Sequence, residues 1–178
     1  MDTWVWIAIA AAVVVLVLLA IWMAARKRRR SQLQEGFGPE YDRTVDDMGS
    51  RRKAESELKD REKRREELDI RPLRQGARDR YATRWSGVQE RFVDNPGAAL
   101  RDAHTLVIEV MRERGYPTDD FEQRAADVSV DHPHVVENYR AAHSITQRGD
   151  ADTEDQRQAL VHYRGLFDEL LETEPANR

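Results

Sequence analysis

The chain has no cysteine in 178 residues. That excludes a disulfide framework, a thiolate nucleophile and a cysteine-ligated zinc site. Lysine is also missing from Pro72 to the C-terminus, where 14 Arg face 20 Asp plus Glu, a net charge of −6. A phosphate backbone rewards a basic face, so nucleic acid is not an expected partner. Glycine-rich phosphate loops are absent too, since Gly36-Phe37-Gly38 lacks both a third glycine and a preceding strand. No H-E-x-x-H or E-x-x-H occurs. Ser86-Gly87 falls inside a helical pattern without G-x-S-x-G, and Ser144 is the immediate neighbour of His143, so on a helix the two do not face each other. No run alternates with period two over a useful length. These absences predict an all-α protein that is not an enzyme and takes no cofactor.

What is present begins with an uncharged run from Thr3 to Ala25, followed by Arg26-Lys27-Arg28-Arg29-Arg30. About 20 apolar residues at ~1.5 Å rise each cross a ~30 Å hydrocarbon core, and this run is long enough. Trp4, Trp6 and Trp22 stand at its ends, where indole rings settle at the headgroup boundary. The reading is a single transmembrane helix in contact with the lipid bilayer. A cleaved signal is the rival, for Ala24-Ala25 mimics a cleavage site. It would need a basic start and a shorter apolar stretch than this chain has. The basic cluster lies only on the C-terminal side, which predicts an N-terminus outside the plasma (inner) membrane and a cytoplasmic remainder. It also attracts anionic lipid, at ~1 kcal/mol per cation. The pairs Ala8/Ala12 and Ala20/Ala24 offer small faces for a weak homo-oligomer, against the plainer reading of a lipid-facing anchor.

Organisation follows composition. Residues 1–30 are the anchor and its stop signal, 31–71 a linker and charged helical stalk, 72–173 an all-α domain and 174–178 a tail. Gly36, Gly38 and Pro39 predict a break below the membrane, with Phe37 and Tyr41 at the interface. Asp42 to Asp69 is densely charged, with sparse apolar residues that sustain no heptad seam. Glu55/Lys59, Glu57/Arg61 and Asp60/Arg64 are acid-then-base pairs at i, i+4. The expectation is a solvated helix that lifts the domain off the bilayer, with a weak coiled-coil dimer as the rival. From Leu73 the pattern turns amphipathic. Ala77, Tyr81, Trp85, Val88 and Phe92 form one stripe, and Leu100, Ala103, Val107, Val110 and Met111 a second. Phe121, Ala125 and Val128 form a third in a short helix starting at Thr118. Val135, Val136, Tyr139 and Ala142 form a fourth, in a helix starting at Asp131-His132-Pro133 and ended by Gly149. Leu160, Tyr163, Phe167 and Leu170 form a fifth behind a Thr153-x-x-Gln156 capping box. Asn95-Pro96 and Gly115-Tyr116-Pro117 punctuate the series. This predicts a five-helix bundle with Phe92, Val107, Tyr139 and Phe167 in one core.

Arg91-Phe92-Val93-Asp94, Arg114-Gly115-Tyr116-Pro117, Asp120 to Asp127, Asp131-His132-Pro133 and Thr153 to Leu171 together resemble a widespread family of uncharacterised bacterial proteins. That family pairs an N-terminal membrane anchor with a helical cytoplasmic domain. The resemblance implies topology and fold. It supplies no activity and no catalytic residues.

Five histidines are the remaining candidates for chemistry. His132 and His134, with Glu137 one turn on, fall short of a metal set, and the plain reading is that His132 caps or packs at a helix start. His104 and His143 sit at stripe edges as partly buried histidines, and His162 is expected to be exposed. Asp120, Glu122, Asp127 and Asp131 cluster with Arg124, which predicts ion pairing between the third and fourth helices of the domain. The functional expectation is a membrane-tethered protein-interaction or scaffold module with an unidentified protein partner. A helical domain that senses a small ligand is the alternative. The candidate interaction surface is Tyr116, Asp119, Asp120, Arg124, Asp131, His132 and His134, which combines aromatic and charged groups around the shortest helix.

Overall fold

The computed structural model describes residues 3–148 and 150–172, without the side chains of 3, 5 and 7–11. The described residues form eight helices and no strand: α1 (Thr3–Phe37), α2 (Pro39–Met48), α3 (Arg51–Glu67), α4 (Gln75–Asp94), α5 (Pro96–Arg114), α6 (Phe121–Asp131), α7 (Val136–Gln147) and α8 (Thr153–Glu172). The expected ends at Gly149 and in the tail 174–178 lie outside the described residues, as does the side chain of Ala8.

The apolar run and the basic cluster belong to one helix. Nothing between Thr3 and Gln34 breaks it, and the chain turns only at Gly38, whose φ of 50° is left-handed. A glycine adopts that conformation without steric cost, and Pro39 then fits the first turn of α2. Gly49, at φ 59° in the left-handed helical region, closes α2. The predicted break at 31–41 is thus a single elbow, and α1 runs through most of the expected linker.

α4 packs on α5, α5 on α8 and α8 on α7, which brings the predicted stripes into one core. Val107, Tyr139 and Phe167 are at most 1% exposed. Phe92 is only half-buried at the rim, and its expected central place is taken by Trp85, which stacks on Phe167 with ring centroids 4.5 Å apart. Caps follow side-chain chemistry. Asn95 Oδ1 accepts from the Ala98 amide at 3.1 Å and Asp120 Oδ2 from the Gln123 amide at 2.8 Å. The latter moves the start of α6 from Thr118 to Phe121. For α8 the capping side chain is Asp152 rather than Thr153, since its Oδ1 accepts from the Asp155 amide at 2.8 Å. His132 ends α6 instead of opening α7. At Gly115, φ is 101°, and an added Cβ would lie 2.3 Å from the backbone oxygen of Asp69. That close approach lets Arg71 donate its amide to the Arg114 carbonyl at 2.9 Å, and seats Ile70 and Leu73 in the main core.

The charged segment departs most from expectation. α3 does not stand free. Its sparse apolar residues Ala54 and Leu58 are fully buried, and Leu58 joins Leu33, Phe37 and Tyr41 in a second core, with Val45 and Val130 against it. Phe37 and Tyr41 are therefore interior residues rather than interfacial ones. Of the three expected pairs along the segment, Glu57–Arg61 forms at 3.1 Å, while Arg64 reaches Glu57 instead of Asp60.

Phe167→Ala should lower stability by about 3–5 kcal/mol, because it removes a buried ring together with its stack on Trp85. Equilibrium denaturation read through Trp85 emission is the check, and a small loss would show that the core closes over the gap.

Candidate functional site

Arg61, Arg64 and Arg65 recur at spacings of three and four and share one face of α3. Asp127 and Asp131, four apart, share one face of α6. The helices pack with these faces together. Arg65 Nε donates to Asp131 Oδ2 at 2.5 Å, and Arg64 Nε lies 3.8 Å from Asp127 Oδ1. Arg61 Nη1 donates across the seam to Glu40 Oε1 at 2.9 Å and reaches Ser129 Oγ at 3.4 Å.

Glu40 is the hub. It opens α2 just after the elbow and is 1% exposed. Its Oε1 accepts from Arg61 and, also at 2.9 Å, from Arg140 Nη2 on α7. Arg140 Nη1 donates in turn to Glu122 at 2.8 Å. One carboxylate thus joins α2, α3 and α7, and through Glu122 the start of α6. Burying a lone carboxylate is prohibitive, and the two guanidinium donors, with the Arg43 guanidinium 3.7 Å away, offset the cost. Asp127 lies deep in the seam. Burial raises its pKa, against a hydrogen bond from Gln123 and the charges of Arg64 and Arg61. Tyr116 donates its hydroxyl to Asp131 at 2.6 Å, and burial beside that carboxylate raises the phenol's pKa.

The residues expected to form a contact surface divide. Asp119, Asp120 and His134 are exposed and Asp131 is half-buried, whereas Tyr116, Arg124 and His132 are 3–4% exposed and face inward. Arg124 does not pair with the neighbouring carboxylates. Its Nε donates to the Tyr139 hydroxyl at 2.7 Å and its Nη1 to the Thr118 carbonyl at 2.6 Å. The expected pairing between α6 and α7 forms through Glu122 and Arg140 rather than through Arg124, while Asp127 and Asp131 meet arginines of α3. His132 is buried with Nδ1 3.5 Å from Glu169 Oε2, and burial first, then Arg114, lowers its pKa against the pull of Asp131 and Glu169. His162, expected to be exposed, is half-buried. Among the described residues no group of three or more His, Asp or Glu is placed to hold a metal ion.

Two arrangements escaped sequence reasoning. Arg114, 1% exposed, donates Nη1 to the Leu170 carbonyl at 2.9 Å and so satisfies a free acceptor at the end of α8. His104 and His143, on α5 and α7, approach to 5.5 Å between ring centroids, and Phe121 stacks on His143 at 3.6 Å. Each histidine was legible as a stripe-edge residue, but their meeting has no signature along the chain. Burial, then the neighbouring His143 and Arg124, pushes the His104 pKa down to about 4. With this geometry in view, comparison with family models, curated proteins and solved structures returned no match to the chain.

Two outcomes test the site. Glu40→Met leaves Arg61 and Arg140 short of a partner and should cost roughly 2–4 kcal/mol, while Glu40→Met with Arg61→Met should cost less than the sum of the single changes. Strict additivity in urea denaturation would show that the pair is not coupled. The second outcome concerns pH. The folded state holds His104 below its ordinary value, so the unfolded chain takes up the proton first as pH falls. Stability is therefore full above pH ~6.5 and lost progressively down to about 4, with solvent screening at this partly exposed ring reducing the loss. His104→Phe should flatten that part of the stability–pH curve, and an unchanged slope would assign it to other groups.

Proposed function

We propose that the chain is a single-pass membrane protein whose helical body is a tethered protein-interaction module on the cytoplasmic side. The observation that carries the anchor is the surface of α1. Every described side chain from Trp4 to Met23 is exposed, and the apolar ones point in all directions around the helix rather than along one stripe. An apolar surface of that kind is unfavourable in water and favourable in hydrocarbon. Among the described residues no helix is long and apolar enough to cross a membrane. That set omits the side chains of 5 and 7–11, which belong to the apolar run of the sequence. The one-sided cluster Arg26 to Arg30 supports the orientation, with the N-terminus outside. The resemblance to anchored helical bacterial proteins agrees with this reading.

The seam changes what the tether does. A solvated stalk would give the body reach. A charged helix docked on α6 instead sets the body at the end of α1 in one orientation. Anchoring raises effective concentration between partners on one surface, and a fixed orientation raises it further for one face. The contact surface proposed here is the exposed part of the predicted one, Asp119, Asp120 and His134, joined by Glu122. Its acidity favours a basic partner. Photo-crosslinkers at 119 and 134, compared with one at 161 on the exposed side of α8, test it. Capture of a specific protein from 119 and 134 alone supports the surface, and the same products from all three refute it.

For the anchor, the chain should remain in the pellet after alkaline carbonate extraction, and a reporter active only in the cytosol should work when fused after Arg178. Activity of an outside-only reporter at that end would reverse the orientation.

A further inference from the structure

α1 and α3 diverge from the elbow and leave a cleft of about 570 Å³ between them, within the range of small-molecule sites. One wall is α1, with Trp22, Arg26, Arg29 and Arg30, and the other is α3, with Arg52 and Lys59. A neighbouring lobe adds Arg51. Among the described residues Glu55 is the one carboxylate lining this cleft, and it already accepts a hydrogen bond from the Tyr41 hydroxyl at 3.2 Å.

Three features make this more than a solvated charged face. The walls carry the same sign and are held facing each other by the second core of Leu33, Phe37, Tyr41 and Leu58. Like charges brought together repel, and an anion between them removes the penalty. Arg26, Arg29, Arg30, Arg51 and Arg52 form no ion pair with any carboxylate among the described residues, whereas the arginines of the seam a few residues further along α3 are all paired. Arg30 Nε, withdrawn from solvent, has no acceptor. Finally, the cleft is amphiphilic. Trp22, Ala25 and Leu33 give it apolar surface, and the Arg26 guanidinium lies 5.4 Å over the exposed Trp22 ring.

We propose that this cleft holds the phosphate headgroup of one anionic phospholipid, with α3 closing over a lipid whose chains lie alongside the apolar part of α1. The proposal rests on the membrane reading above. A phosphate group is what the paired guanidinium walls recognise. The apolar floor and its place at the end of the apolar run select a lipid phosphate over a free one. The cleft then adds a second, tertiary contact to the general attraction of the basic cluster. It couples lipid composition to the docking of α3, and through Arg61 and Glu40 to the body.

The test uses the full chain in neutral detergent, titrated with dioctanoyl phosphatidylglycerol and, separately, dioctanoyl phosphatidylcholine and inorganic phosphate, with bound species counted by native mass spectrometry. Arg51 and Arg52 are exposed and lie on α3, apart from the stop signal, so Arg51→Gln with Arg52→Gln leaves fold and insertion intact. One phosphatidylglycerol should be retained saturably. The double variant should weaken it roughly 30-fold, at about fivefold per cation near an anionic surface. Lys59→Gln should weaken it about fivefold independently. Equal retention of phosphatidylcholine, no effect of the variants, or displacement by inorganic phosphate at the same concentration would each overturn the proposal. Carbonate extraction of the same proteins separates the two readings. A chain that stays in the pellet without variant-sensitive lipid binding removes the cleft alone, and a chain found in the supernatant removes the anchor and the cleft with it.

Discussion

Glu40 cannot be buried alone, and most of the architecture follows from how it is neutralised. Its hydrogen-bond donors come from α3 and α7, so those helices and the start of α2 must meet at one point. α3 is rich in charge and poor in apolar residues, which ordinarily marks a helix that stays in water. Here two interior residues, Ala54 and Leu58, give it a narrow apolar line, and the arginines on either side of that line have carboxylates waiting on α2 and α6. Neither set would suffice by itself. Buried ion pairs barely offset their own desolvation, and a single leucine contributes only ~1.5–3 kcal/mol. Together they dock the helix in one register, since a slip along α3 would leave buried charges unpaired.

The two cores divide the labour. The larger one, built around Trp85, Val107, Tyr139 and Phe167, is apolar and closed by ordinary helix packing. The smaller one, around Phe37, Tyr41 and Leu58, joins α1 to everything else, and its aromatic residues lie at the elbow where the chain leaves α1. Motion of α1 relative to the body therefore has to break the apolar contacts of that core. The position of α1 is thereby coupled to that of the body.

Charge is distributed in the same spirit. Among the described residues Arg26, Arg29, Arg30 and Arg52 line a cleft and form no ion pair with a carboxylate, those in the middle of α3 are paired with carboxylates of the body, and Asp119, Asp120 and Glu122 at the start of α6 are exposed. Along the sequence the balance passes from the basic cluster beside the apolar run to a net charge of −6 from Pro72 onward. On an anionic membrane that gradient draws in the near end and repels the far one, which favours a single orientation.

The sequence by itself determined the amphipathic helices of the body and the breaks at Asn95-Pro96 and Gly115. Tyr81, Trp85 and Val88, or Tyr163, Phe167 and Leu170, are legible because helical periodicity is written along the chain, and Asn95-Pro96 and Gly115 act within a few residues of themselves. The basic cluster beside the apolar run is equally local. Only the tertiary structure decided the fate of the charged segment, of Arg124 and of the histidines. An arginine carries no mark of whether its carboxylate lies four residues away, as Glu57 does from Arg61, or 66 away, as Asp131 does from Arg65. Arg124 is surrounded in sequence by acids yet bonds to the Tyr139 hydroxyl. Tyr116 and His132 have the composition of a surface motif and are buried. Hydrophobic burial follows a period that one strand of text can display, whereas pairing of charges depends on which helices become neighbours, and that is settled by packing.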